Sequence, residues 1–142
     1  MILLDTNVIS EPLKAAANAT VLAWIDAQLI ETLYLSTITL AELRFGIAVL
    51  PEGRRRDALQ SGFERRILPL CAGRILLFDA AASQAYAVLR TRARAAGLAV
   101  APADGYIAAI AATHGFAIAT RDTAPFEAVG LTVINPWTSQ AH

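Results

Sequence analysis

Four acidic residues of this chain stand where α/β proteins do their chemistry. Asp5 ends the apolar run Ile2-Leu3-Leu4 and is followed by Thr6 and Asn7. Asp122 stands past the run Phe116-Ala117-Ile118-Ala119, behind Thr120 and Arg121. Short unbroken apolar runs read as strands buried on both faces, as in a parallel sheet. Ligands bind outside the carboxyl ends of such strands. Asp104 lies in the first turn of a helix and aligns with Ile107, Ala108 and Ala111, the face that must pack inward. Glu42 shares a helical stripe with Ile38, Phe45 and Val49, where a carboxylate needs a partner or a cation. Plainer roles compete for two of these residues. Asp5 can cap the helix that follows, and Asp104 can stabilise a helix dipole.

If the first and fourth strands are neighbours, the four carboxylates meet in one crevice. Four such groups at close range cannot all ionise without a cation. Donors that are all oxygen favour a hard ion, Mg²⁺ or Mn²⁺. Carboxylate-held divalent ions are standard equipment for phosphodiester hydrolysis. A zinc set is not on offer: Cys71 is the single cysteine, and His114 and His142 are far apart.

The elements that would position these acids alternate between strand and helix. Strands are expected at Ile2–Leu4, Leu33–Leu35, Ile75–Phe78, Phe116–Ala119 and Thr132–Ile134. Between them, the spacing predicts a short helix over Val8–Leu13, broken by Pro12, and a helix capped by Asn18 and running to about Leu29. Another covers Ile38–Leu50, started by Ser36 and Thr37, and another Arg54–Leu68. A long helix opens at Asp79 and ends near Gly97; the last runs to His114 and is closed by Gly115. The pattern is that of a three-layer α/β/α sandwich with a parallel sheet, one domain over residues 1–142.

The chain is 56% hydrophobic and only 17% charged, against about 25% charged in an ordinary domain. Part of so apolar a surface is expected to be covered by a partner. Twelve basic and twelve acidic residues cancel, so net charge predicts neither a nucleic-acid nor a membrane partner. One cysteine fits a reducing compartment. Met1 leads straight into the first strand without a signal-like segment, and no apolar run is long enough to span a bilayer. A soluble cytoplasmic protein is expected. Cys71, Trp24, Trp137 and Phe63 read as core or partner-facing residues, and His114 as a helix-end residue. The run Arg54-Arg55-Arg56 reads as a solvated face, with an RNA path as its alternative.

The chain resembles the PIN-domain ribonucleases, the toxins of VapC type II toxin–antitoxin pairs, and most of all their FitB-like branch. The resemblance is carried by Leu4-Asp5-Thr6-Asn7-Val8-Ile9-Ser10-Glu11, Thr39-Leu40-Ala41-Glu42-Leu43-Arg44-Phe45-Gly46, Ala103-Asp104-Gly105-Tyr106-Ile107-Ala108-Ala109, Ala119-Thr120-Arg121-Asp122 and Ile134-Asn135-Pro136-Trp137. Each is weak alone; in order and over nearly the whole chain the set is specific. The resemblance implies a five-stranded parallel sheet and an acidic quartet of Asp5, Glu42, Asp104 and Asp122. By it, Asp5 and Asp104 are the Mg²⁺ ligands, Asp122 assists with the metal or its water, and Glu42 completes the cluster. Thr6 and Thr120 would steady the carboxylates by hydrogen bonds. It further implies a homodimer, an RNA substrate, and an antitoxin that silences the groove and joins a larger assembly on operator DNA.

Other readings stay open at this point. A receiver domain would place an acceptor at Asp79, but that residue is an obvious helix cap and no lysine follows the fifth strand. A PIN fold kept only for binding an antitoxin and DNA, as a repressor complex, is a second. A metal nuclease acting on structured DNA is a third.

Overall fold

The structure, a computed structural model, describes residues 1–138. His142 lies outside them. Five parallel strands form one sheet: β1 (Ile2–Leu4), β2 (Leu33–Ser36), β3 (Ile75–Leu76), β4 (Ala117–Ala119) and β5 (Val133–Ile134), in the order β3-β2-β1-β4-β5. The central strand is the apolar run at the amino end. Leu3 pairs with Ile118 and Leu4 with Ala119, so β1 and β4 are neighbours.

Alternation along β1 divides the core in two. Leu4 joins Val8, Ile9, Trp24, Leu35, Leu43 and Phe63 on one face of the sheet. Leu3 joins Leu89, Ile107, Ile110, Ile118 and Phe126 on the other. The first face is covered by α1 (Thr6–Ser10), α2 (Ala19–Asp26), α3 (Thr37–Ala48), α4 (Arg54–Gly62) and α5 (Leu68–Leu70). The second is covered by α6 (Ala80–Ala95), α7 (Pro102–His114) and α8 (Ala124–Ala128). No helix of the described residues is long and apolar enough to cross a membrane.

The expected caps form. Asn18 accepts from the Thr20 and Val21 amides, Ser36 from Thr39, and Asp79 from Ala82. Gly115 takes the left-handed conformation that closes α7.

Several boundaries differ from expectation. The helix expected over Val8–Leu13 starts earlier, at Thr6, and passes into a 3-10 turn over Glu11–Leu13 that accommodates Pro12. The helix after Asn18 stops at Asp26, and a 3-10 turn over Ile30–Thr32 leaves Leu29 exposed. The helix expected over Arg54–Leu68 is α-helical only to Gly62. A π turn, Phe63–Ile67, follows, in which the Leu68 amide bonds the Phe63 carbonyl. Pro69 has no N–H to continue the regular ladder, and the wider turn brings both Phe63 and Ile67 into the core. The strand expected to reach Phe78 ends at Leu76, since β3 is an edge strand and Leu77 is exposed. Helix α8 was not foreseen: five residues with a proline show no readable period.

Candidate metal centre

Asp5 is fixed at both oxygens. Its backbone N–H donates to the Ala119 carbonyl at 2.9 Å, extending the β1–β4 ladder by one residue. As cap of α1, its Oδ1 accepts the Thr6 amide at 2.8 Å. Its Oδ2 accepts the Thr120 hydroxyl at 2.7 Å. The carboxylate that caps α1 is therefore the same one that Thr120 holds from the neighbouring strand. Asp5 is 5% exposed. Burial raises its pKa, the bonds from Thr120 and Thr6 oppose the rise, and the charges of Glu42 and Asp122 add to it; the net direction is up.

Thr120 organises the opposite strand end. Its fully buried oxygen donates to Asp5 and accepts the Asp122 amide at 3.1 Å and the Asn7 side-chain amide at 3.5 Å. Asn7 in turn accepts the Arg121 amide at 3.2 Å. Thus the turn after β1 and the turn after β4 are clasped together. Asn7 was not singled out from sequence; an amide beside the acid at a strand end was the available signal.

Glu42 reaches the site from α3. Its Oε1 accepts the Thr6 hydroxyl at 2.7 Å. The Thr6 and Thr39 oxygens are 3.4 Å apart, and Thr39 is itself held by Ser36, which caps α3. The environment expected for Glu42 needs correction. Glu42 is exposed, and its stripe-mates Phe45 and Val49 are 70% and 61% exposed. Ile38, at the amino end of the stripe, is half-buried against the second core; from Glu42 onward the stripe faces outward because Leu43 and Ile47 already fill the inward face of α3.

Asp104 occupies the first turn of α7, on the same face as the buried Ile107, Ala108 and Ala111. Its pKa is pushed up to about 6, first by burial and then by the charges of Asp5, Asp122 and Glu42. All four acids therefore act on one electrostatic site. Asp122 is exposed, unlike Asp5, and lines a cleft of about 350 Å³ together with Asp104. On the other side of the site a groove of about 660 Å³ runs from Thr6 and Glu42 over Leu43, Ile47 and Leu59 to Lys14 and Arg55.

A fifth acid, Glu11, is buried but is not part of the quartet. Burial alone would raise its pKa; the Lys14 ammonium and the Asn18 amide at 2.9 Å outweigh it, and the pKa is lowered. Lys14 Nζ stands 2.9 Å from Glu11 Oε2, near enough for an ion pair but outside hydrogen-bond alignment. Cys71 is a core residue whose thiol pKa is raised by burial. Trp24 and Phe63 are core, and Trp137 is half-buried under the Arg121 guanidinium, 5.2 Å from its ring. Arg54 and Arg55 are exposed on α4, and His114 is exposed beside Phe116.

The donor set suits a hard divalent cation: carboxylate oxygens only, with the charges of Glu42 and Asp122 helping to raise the pKa values of Asp5 and Asp104. Among the described residues no three His, Cys, Asp or Glu side chains close into a ready-made cage. An open arrangement of this kind leaves room for waters around a hard divalent cation.

A parallel sheet whose central strands end in clustered carboxylates is the architecture of a metal-assisted hydrolase of the PIN type. Residues 2–131 match the PIN domain family, and the chain belongs to it. It is 63% identical to the plasmid stability protein StbB of Pseudomonas syringae pv. tomato over 96% of this chain and 99% of that one. It is 61% identical to the VapC ribonuclease Y4jK of Sinorhizobium fredii, over 96% and 98% of the two chains. Among solved structures, it superposes on a chain of FitAcB from Neisseria gonorrhoeae with a TM-score of 0.94 at 51% identity, covering 98% of this chain and all of that one. FitAB bound to an IR36 DNA fragment matches equally, with a TM-score of 0.94 at 50% identity and coverage of 100% and 99%.

Proposed function

We propose that this chain is the toxin of a type II toxin–antitoxin module, a divalent-metal-dependent endoribonuclease, with residues 1–142 acting as one PIN domain in the cytoplasm. The observation that carries the reading is the buried Asp5 carboxylate, clamped between Thr6 and Thr120 and electrostatically coupled to Glu42, Asp122 and Asp104. The ribonuclease name of Y4jK supports the activity. Mg²⁺ is the preferred ion, with Mn²⁺ able to replace it.

Asp5, Asp104 and Asp122 are the ligands in this reading, with Glu42 beside them. A divalent ion held there supplies activated water and charge neutralisation at the scissile phosphate. Thr120 and the Thr6 amide keep Asp5 oriented, and Thr6 does the same for Glu42. Without a cation, Asp104 holds a proton more readily than an ordinary aspartate.

The groove at Thr6 and Glu42, apolar along its floor and basic at Lys14 and Arg55, is the place for an antitoxin segment. The exposed Phe45 and Val49 supply an apolar face for a homodimer. The FitAB complex on DNA supports a larger assembly on operator DNA. It also favours one specific alternative, a PIN-fold interaction module that acts with its antitoxin as a repressor and cuts nothing.

Induced expression separates the two. The ribonuclease reading expects growth arrest and fragmented RNA with the wild type, neither with Asp5→Ala, and rescue by the co-expressed antitoxin. Arrest by Asp5→Ala as strong as by wild type contradicts it.

A further inference from the structure

We propose that the cleft between α6 and the loop before α7 binds the ribose-phosphate backbone of the RNA strand beside the cut, with Arg90 and Arg94 contacting its phosphates; this rests on the ribonuclease reading above.

The cleft measures about 490 Å³ and is lined by Tyr86, Arg90, Thr91, Arg94, Leu98 and Val100, among others. Leu98 and Ala99 line it and also line the cleft that holds Asp104 and Asp122. One surface therefore runs from the acids, over the loop, to the two arginines.

The arginines are suitably placed on their helix. Residues four apart on a helix share one face, with Cβ atoms ~6 Å apart, so both guanidinium groups follow the same cleft. Arg90 is held in advance. Its Nη1 donates to the Tyr86 hydroxyl at 2.7 Å, and its guanidinium lies 5.5 Å from the centre of the Tyr86 ring. Tyr86 stacks on Tyr106 with 4.7 Å between centroids, and Phe78 packs edge-on to both.

This assembly abuts the turn that carries Asp104. A Cβ on Gly105 would lie 2.9 Å from Tyr86 Cε2 and 3.3 Å from Arg90 Cδ. The glycine after the acid is thus what lets Arg90 and Tyr86 close on the site.

Electrostatics gives the arrangement a purpose. A polyanionic strand must approach four carboxylates on a chain of zero net charge. A bound cation neutralises the scissile phosphate, but the neighbouring phosphates remain exposed to the acids. A local pair of arginines answers that repulsion, and arginine is suited to phosphate by its planar fork. Among the described residues neither Arg90 nor Arg94 forms an ion pair with a carboxylate.

The test is the binding of a short mixed-sequence single-stranded RNA, with Ca²⁺ replacing Mg²⁺, as a function of salt. Each lost phosphate contact on a single strand should reduce the slope of log K against log salt by about 0.7. Arg94→Gln, which leaves the Arg90–Tyr86 pair in place, should lower the slope by about 0.7 and Arg90→Gln/Arg94→Gln by about 1.4, with affinity reduced about tenfold or more. Arg92→Gln, on the opposite face of α6, should match wild type. Wild-type affinity and slope in both the single and the double variant overturn the proposal. So does a loss of binding that sedimentation traces to altered self-association, which makes the cleft a protein interface. A wild type that neither binds nor cuts RNA defeats the ribonuclease reading itself, and this inference with it.

Discussion

The Thr120 hydroxyl donates to Asp5 Oδ2 at 2.7 Å, joining residues 115 positions apart. That bond fixes the carboxylate at the centre of the site to the end of the neighbouring strand. Thr120→Val removes the donor while keeping the shape, and leaves the Asp122 and Asn7 amides without their acceptor. Outer-shell losses of this kind cost about 10–100-fold in metal affinity or activity. We expect Mg²⁺-dependent cleavage to fall within that range and stability to drop by about 1–3 kcal/mol. Thr120→Ser should restore most of both. Cleavage kinetics and urea melts of the three proteins provide the check.

The raised pKa of Asp104 makes stability depend on pH. Its folded value, about 6, lies above its ordinary value of 3.8, so the folded chain binds the extra proton. Stability from this group is present below the ordinary value and is lost as pH rises through about 6. In metal-free buffer, Asp104→Asn should therefore melt higher than wild type at about pH 8, with the gap closing below about pH 4. Mg²⁺ should raise the wild-type melting temperature at about pH 8 and raise that of Asp104→Asn less. Scanning calorimetry with and without the ion reads both effects. Equal melting temperatures across the pH range contradict the shared electrostatic site.

Gly105 is the close contact between α6 and α7. Its added methyl would meet the edge of the Tyr86 ring, which is pinned by Tyr106 and Phe78. Gly105→Ala should cost about 1–3 kcal/mol, the usual range for overpacking. Since the same turn carries Asp104, cleavage should fall as well. A urea midpoint unchanged from wild type shows that the rings can yield.

Phe45 and Val49 are exposed on α3 and belong to neither core. Phe45→Asp should leave monomer stability within about 0.5 kcal/mol, as for surface changes generally. By contrast, it should shift the sedimentation profile from dimer to monomer. A dimer that survives the substitution places the interface elsewhere.

The parallel sheet was legible in the sequence because strands buried on both faces leave unbroken apolar runs. Those runs located the sheet, and the acids at their ends pointed to the candidate site. The pairing of β1 with β4, on which the crevice depended, appears in sequence only as a condition; the register Leu3 with Ile118 meets it. Less could be read of Glu42, because a helical stripe does not say which way it faces when two apolar stripes compete. Leu43 and Ile47 hold the inward face and turn Glu42 to the surface. The π turn at Phe63–Ile67 was hidden for a related reason: a proline two residues on decides a hydrogen-bond pattern that apolar spacing alone does not reveal. The Asn7 clasp joins two distant turns, and no local pattern announces it.

The most direct test is cleavage of RNA by the purified wild-type protein beside Asp5→Asn and Asp104→Asn, with Mg²⁺, with Mn²⁺ and with EDTA. Circular dichroism of all three confirms that each is folded. Cleavage by the wild type is expected with either ion and absent in EDTA, with a loss of more than about 100-fold in both variants. Cleavage that persists in EDTA, or in the folded Asp5→Asn protein, contradicts a carboxylate-held metal as the active principle.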